Sequence, residues 1–256
     1  MCGRYVTRNE AAIERYFNLI KVRNPLTDRF NVAPTQDVPV VRLIDGERVM
    51  SNMHWGLIPF WAKDKKIGYK TINARAETVA IKPAFRSAYK VRRCLIPASG
   101  FYEWKRDTEP KTPHFIFKQD DEPIGFAGLW ETWKREDETL ESCSIVTTEA
   151  NDMMAELHNR MPVILDAQDF DWWMAGDVKE VGQLLKPCPS EWLTAYPISR
   201  QVNNARNQGA ELIERTESAS FPIRRLSLIL DPSYMTRLNS VIAFLYSSTL
   251  CQRALY

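Results

Sequence analysis

The chain has 256 residues, 45% of them hydrophobic and 26% charged, an ordinary globular composition that allows a sizeable core. Its 34 basic residues against 32 acidic ones leave a net charge of +2, which excludes a strongly basic nucleic-acid coat, so any hold on phosphates has to come from a local cluster. Five scattered cysteines and three histidines, none at metal-ligand spacing, argue against a disulfide framework and a zinc site, so no metal and no cofactor are expected.

The first segment reads as a short strand leading into a helix. Thr7 and Glu10 form a capping-box pattern, and Ile13, Tyr16, Phe17 and Ile20 follow at helical spacing. Residues 38–43 and 48–55 flank Asp45-Gly46, which predicts a hairpin. A short helix is expected over 83–89 and strands over 94–97, 101–105, 114–118, 123–130 and 142–148, with an Asp120-Asp121 turn joining two of them. A helix over 150–157, a strand over 161–165, helices over 168–175 and 178–185 and a last strand over 193–198 complete the pattern. Many short strands with irregularly placed helices predict an α+β fold, built on a mostly antiparallel, curved, barrel-like sheet with flanking helices. One domain is expected over 1–215. The tail over 216–256, acid-free from residue 232 and with Leu238, Val241, Ile242 and Leu245 at helical spacing, reads as an appended helix or a poorly ordered segment. The first thirty residues lack an apolar h-region and no apolar run reaches 18 residues, so a cytoplasmic protein with no membrane span is expected.

The chemistry centres on the start, Met1-Cys2-Gly3-Arg4. A small second residue permits trimming of Met1, which leaves Cys2 with a free α-amine and a thiol on adjacent carbons. The α-amine has a pKa of about 7.7–8.0 against about 10.4 for lysine, so near neutrality far more of it is unprotonated. Such an aminothiol condenses with an aldehyde to an imine, and intramolecular thiol addition closes a thiazolidine ring. Four further segments combine polar reactive groups with apolar neighbours. Asn73 and Arg75 lie two apart on an extended segment and face one way. Glu103, between Tyr102 and Trp104, is a carboxylate open to partial desolvation and a raised pKa. His158, with Arg160 two residues on, sits at a helix-to-strand junction suited to proton transfer. Asn31-Val32-Ala33-Pro34 and the run from Trp55 to Trp61 place Pro and Trp where they could wedge or stack bases. Each segment taken alone also reads as ordinary structure: a solvated edge, a salt-bridged acid, a structural histidine, core aromatics.

Taken in order, these segments resemble one family, the SOS response-associated peptidase (SRAP) domain of abasic-site processing proteins. The match covers residues 2–215. It rests on Cys2-Gly3-Arg4-Tyr5, Asn31-Val32-Ala33-Pro34, Trp55-Gly56-Leu57-Ile58-Pro59, Asn73-Ala74-Arg75, Phe101-Tyr102-Glu103-Trp104, His158-Asn159-Arg160-Met161-Pro162 and the segment from Asn203 to Gly209. The resemblance implies a monomer whose partner is single-stranded DNA containing abasic sites. Cys2 would form the crosslink, Asn73 hold the opened sugar, Glu103 act as acid/base and His158 handle protons. It implies further that Arg4, Arg75 and Arg160 bind phosphates, that Pro34 and Trp61 separate and stack bases, and that the peptidase label covers removal of Met1. Tyr5 stands where the family commonly has Phe, and Asn159 where it has Asp. The rival readings are an N-terminal-nucleophile amidohydrolase, a thiol peptidase with His158 as base, and a non-covalent single-strand binder.

Overall fold

Asp45 and Gly46 both adopt positive φ, 53° and 83°, the backbone that a two-residue primed turn requires, and they join two long antiparallel strands as predicted. The computed structural model describes residues 2–106 and 109–216. Its strands are β1 (Tyr5–Thr7), β2 (Lys21–Val22), β3 (Arg29–Val32), β4 (Asp37–Ile44), β5 (Glu47–Trp55), β6 (Asn73–Arg75), β7 (Arg93–Ala98), β8 (Gly100–Lys105), β9 (Thr112–Lys118), β10 (Ile124–Arg135), β11 (Glu138–Glu149), β12 (Arg160–Pro162), β13 (Ile164–Leu165) and β14 (Leu193–Pro197). The helices are α1 (Glu10–Tyr16), α2 (Arg86–Val91), α3 (Asp152–Ala155) and α4 (Phe170–Ala175), with several single turns of 3₁₀ helix between.

Two sheets result. The smaller runs β14-β9-β8-β1-β3, so the first strand of the chain lies between two others. The larger runs β12-β11-β10-β7-β4-β5-β2, and a parallel pairing of β5 with β11, Cys143 opposite Trp55, closes five of its strands into a ring. The fold is therefore α+β with a mostly antiparallel, barrel-like sheet. Strand alternation sorts the side chains into layers. Cys2, Tyr5, Trp55, Phe101, Phe126 and Ile145 meet in the core shared by the two sheets. Ile13, Phe17, Tyr89, Leu129, Val146 and Trp173 pack on the other face of the large sheet, which the helices cover. Val6, Tyr102, Phe115 and Val202 lie on the far face of the small one.

Several local expectations are corrected. Thr7 belongs to β1, and the helix is capped instead by Asn9, whose side chain accepts from Ala12 N while its backbone takes φ 63°. Glu10 accepts from Leu26 N rather than closing a capping box. The Asp120-Asp121 turn joins β9 to β10 as expected, with Asp121 at φ 57°, and so passes the chain from the small sheet to the large one. The strands over 123–130 and 142–148 extend into one twelve-residue pair, β10 and β11, joined across residues 136 and 137. The tail expected over 216–256 lies, beyond Thr216, outside the described residues; Thr216 N donates to Pro197 O at 3.0 Å. Among the described residues no helix is long and apolar enough to cross a membrane, and no group of three or more His, Cys, Asp or Glu side chains converges as a metal site does.

Asn31 fastens the closing segment to the sheets. It is fully buried, its Nδ2 donates to the carbonyls of Val202, Asn204 and Asn207 at 3.0–3.1 Å, and its own backbone carbonyl accepts from Gln208 Nε2 at 2.9 Å. Replacing it leaves buried carbonyls unsatisfied, so Asn31→Ala is expected to cost about 1–3 kcal/mol. Urea unfolding at unchanged m value reads this as a lower midpoint.

Candidate functional site

The small sheet brings one half of the site. Cys2 precedes β1 and has no exposed surface in the chain that carries Met1. Tyr5 pairs with Phe101 on β8, and Tyr102 N donates to Arg4 O at 3.0 Å, so Glu103 follows directly beside the chain start. Glu103 is 4% exposed. Burial raises its pKa, and its own charge in turn raises the Cys2 thiol, which burial has already pushed far up.

The large sheet brings the other half. β6 and β12 both pair with β11: Thr147 lies opposite Arg75 on one side and Pro162 on the other. Asn73, at the start of β6, donates from Nδ2 to Cys2 O at 2.9 Å, and its Oδ1 is buried without a partner. His158 sits between α3 and β12, 8% exposed, with Nδ1 2.9 Å from Arg160 N. Burial lowers its pKa from 6.5 to about 4, with the charges of the amino terminus, Arg106 and Arg160 acting the same way. The amino-terminal charge acts on Cys2, Glu103 and His158 alike. The junction of the two sheets therefore gathers Cys2, Asn73, Glu103 and His158.

The cations divide. Arg75 is exposed on β6. Arg160 grips Glu77 with both terminal nitrogens and donates to Thr147 O at 2.8 Å, while its Nε is buried without a partner. Arg4 spends three N–H groups on Asn31 Oδ1, Val202 O and Asn203 O, at 2.8, 2.8 and 3.3 Å, so it clamps the closing segment as much as it faces solvent. Pro34 is half-buried in a turn whose next residue, Thr35, has φ 72°. Trp55 is core, with Nε1 donating to Ile72 O at 3.0 Å, whereas Phe60 and Trp61 are 55% and 46% exposed. The two exposed rings line a groove of about 340 Å³ with Pro83, Arg86, Ser87 and Lys90. Nothing in the structure joins Pro34 or Trp61 directly to the four gathered groups. Two neighbours of these residues escaped the sequence reading. Glu77 meets Arg160, and Arg106, which touches His158, follows a strand with no local pattern to mark it.

The SOS response associated peptidase (SRAP) family model matches residues 1–205. The chain belongs to this family. It is 40% identical over 222 residues to the abasic site processing protein YoqW of Bacillus subtilis, covering 84% of this chain and 99% of that one. It is 33% identical over 190 residues to the abasic site processing protein YedK of Escherichia coli, covering 73% and 84%. A crystal structure of a Bacteroides thetaiotaomicron protein superposes with a TM-score of 0.76 at 26% identity, covering 84% of this chain and all of that one.

Because the folded imidazole takes its proton only near pH 4 and an unfolded one near 6.5, the unfolded chain binds more protons between those values. Stability from this group is therefore present above the unfolded value and lost as pH falls toward about 4. Urea unfolding of His158→Asn is expected to show a shallower loss across this window than the native chain. Parallel curves would mean that the ring titrates normally.

Proposed function

We propose that this chain, once freed of Met1, captures abasic sites in single-stranded DNA as a covalent thiazolidine crosslink through Cys2. The observation that carries the reading is the tether from Asn73 to the Cys2 carbonyl, with Glu103 buried beside the same residue. This holds a future α-amine and thiol between an acid and an imidazole. The names of YoqW and YedK supply the lesion.

The steps balance without oxidant or metal. Glu103, whose pKa burial raises, gives a proton to the ring oxygen of the sugar as the C–O bond breaks and takes up the proton of the anomeric hydroxyl, which releases the aldehyde. The α-amine adds to the carbonyl carbon, and neutral His158 carries the two protons that the nitrogen sheds, one after the other, to the carbonyl oxygen, which leaves as water as the imine forms. The Cys2 S–H then adds across C=N, sulfur to carbon and the proton to nitrogen, closing the ring. Asn73 Oδ1, the buried acceptor without a partner, receives a hydroxyl of the opened sugar. Reversal runs the same transfers backward, and removal of Met1 is the hydrolytic step. Arg75 meets a flanking phosphate; Arg160 does so in competition with Glu77, and Arg4 with the N–H groups the fold leaves it. Pro34 and the exposed Trp61 separate and stack the neighbouring bases.

Incubation with an abasic-site oligonucleotide followed by a denaturing gel is expected to give a shifted band with the native chain and none with Cys2→Ala. A band of equal strength from Cys2→Ala moves the chemistry elsewhere. Cys2→Ser forms the imine but not the ring, so its adduct should survive the gel only after borohydride reduction. Intact mass is expected to show loss of Met1 in every chain that crosslinks. The native sequence made with removal of Met1 blocked should stay at the free position on the same gel.

A further inference from the structure

His158 is approached by two hydrogen-bond donors on opposite sides of its ring. From outside comes Arg106, exposed just beyond β8, whose Nη2 meets His158 Nε2. From inside comes Arg160 N, which donates to Nδ1 at 2.9 Å, while Arg160 O lies 3.2 Å from the same nitrogen and can only accept. A guanidinium offers donors alone, a backbone N–H likewise, and a neutral imidazole has one lone pair. The ring cannot satisfy both. With Arg106 seated on Nε2, the ring proton must lie on Nδ1, where Arg160 O receives it. With Arg106 withdrawn, Nδ1 takes the Arg160 N–H and the proton moves to Nε2.

We infer that Arg106 is a positioning residue that selects the tautomer of His158, and so decides whether Nε2 presents a lone pair or a hydrogen. The inference rests on the reading of His158 as the group that handles protons. Charge is not the variable, because Arg106, Arg160 and the amino terminus, the cations that face the ring, all oppose a second proton on it. The tautomer is what remains free to change. A lone pair at Nε2 accepts a proton; a hydrogen there donates one, and imine formation and its reversal need one each. The charge of Arg106 also lowers the Glu103 pKa that burial raises, so one exposed guanidinium acts on both proton-handling groups. Its exposure at a strand end makes its removal cheap for the fold.

The test uses the full chain with ¹⁵N-labelled histidine. Imidazole ¹⁵N shifts separate a protonated ring nitrogen from an unprotonated one, and His158→Asn identifies the signals against His54 and His114. The native chain is expected to show Nε2 unprotonated and Nδ1 protonated. Arg106→Met, which keeps the apolar stem and loses the donors, is expected to reverse this, and Arg106→Lys to restore it, at unchanged melting temperature. In the same series the crosslinking rate with an abasic-site oligonucleotide at one neutral pH should fall in Arg106→Met and return in Arg106→Lys. Identical tautomers in the native chain and Arg106→Met would overturn the inference, even where crosslinking stays Cys2-dependent. Crosslinking that survives Cys2→Ala overturns the proposed function instead, and leaves the NMR result standing.

Discussion

The start of a chain is ordinarily its loosest part, and here it is pinned by strand pairing on both sides. β1 lies between β8 and β3, with Tyr5 opposite Phe101 on one side and Val32 on the other. The Tyr5 ring then packs edge-on against Trp55 and Phe126, so the register cannot slip without pulling an aromatic from the core. A one-residue slip would move every side chain of β1 to the opposite face. The position of Cys2, and of everything that acts on it, follows from this pairing.

The second half of the site depends on β11. Its outer end is shared by β6 and β12, so Asn73, Arg75 and Arg160 are fixed relative to one another by main-chain hydrogen bonds rather than by loops. This is a rigid mounting for the groups to which the proposed function gives the opened sugar and its phosphates. It comes at a cost in stability. Asn73 Oδ1, Thr147 Oγ1 and Arg160 Nε are all buried without partners, and each such atom costs about 1–3 kcal/mol.

The local signals in the sequence carried much of this. The Asp45-Gly46 turn joins the two strands expected of it, and Glu103, read as open to desolvation between Tyr102 and Trp104, is buried. Signals that depend on a partner strand did not. The far ends of β10 and β11 are mostly polar, with Trp133 opposite Leu140 as their apolar pair, and look like loop until Glu131 is seen to pair with Ser142 and Lys134 with Thr139. The parallel contacts of β11 with β5 and β6 join segments about seventy to ninety residues apart, and no local pattern announces them. Arg4 shows the same limit at a single residue: beside Cys2 it reads as a phosphate ligand, yet its guanidinium is committed to carbonyls nearly two hundred residues away. Asn31 reads as part of a loop tip and turns out to be the latch. Glu77 and Arg106 are invisible for the same reason, since each matters only through the side chain it meets.

The electrostatics of the site separate two kinds of cysteine chemistry. A thiol peptidase works through a thiolate beside an imidazolium, which requires the cysteine pKa to fall and the charged forms of both groups to be favoured. Here burial drives each group toward its neutral form: the Cys2 thiol far up, the Glu103 carboxyl up and the His158 imidazole down to about 4. No ion pair between Cys2 and His158 is favoured in such surroundings. Condensation with an aldehyde asks for the opposite of an ion pair. It needs an uncharged amine, a carboxylic acid that still holds its proton and an imidazole that can accept one, and it needs the sulfur only after the imine has formed. A thiol kept protonated is a poor nucleophile toward passing peptides. Once an imine carbon lies two bonds from its own Cα, ring closure has the large effective molarity of an intramolecular step and no longer depends on a standing thiolate. The burial that works against a thiolate–imidazolium pair is compatible with the ring-closing aminothiol of the proposed function.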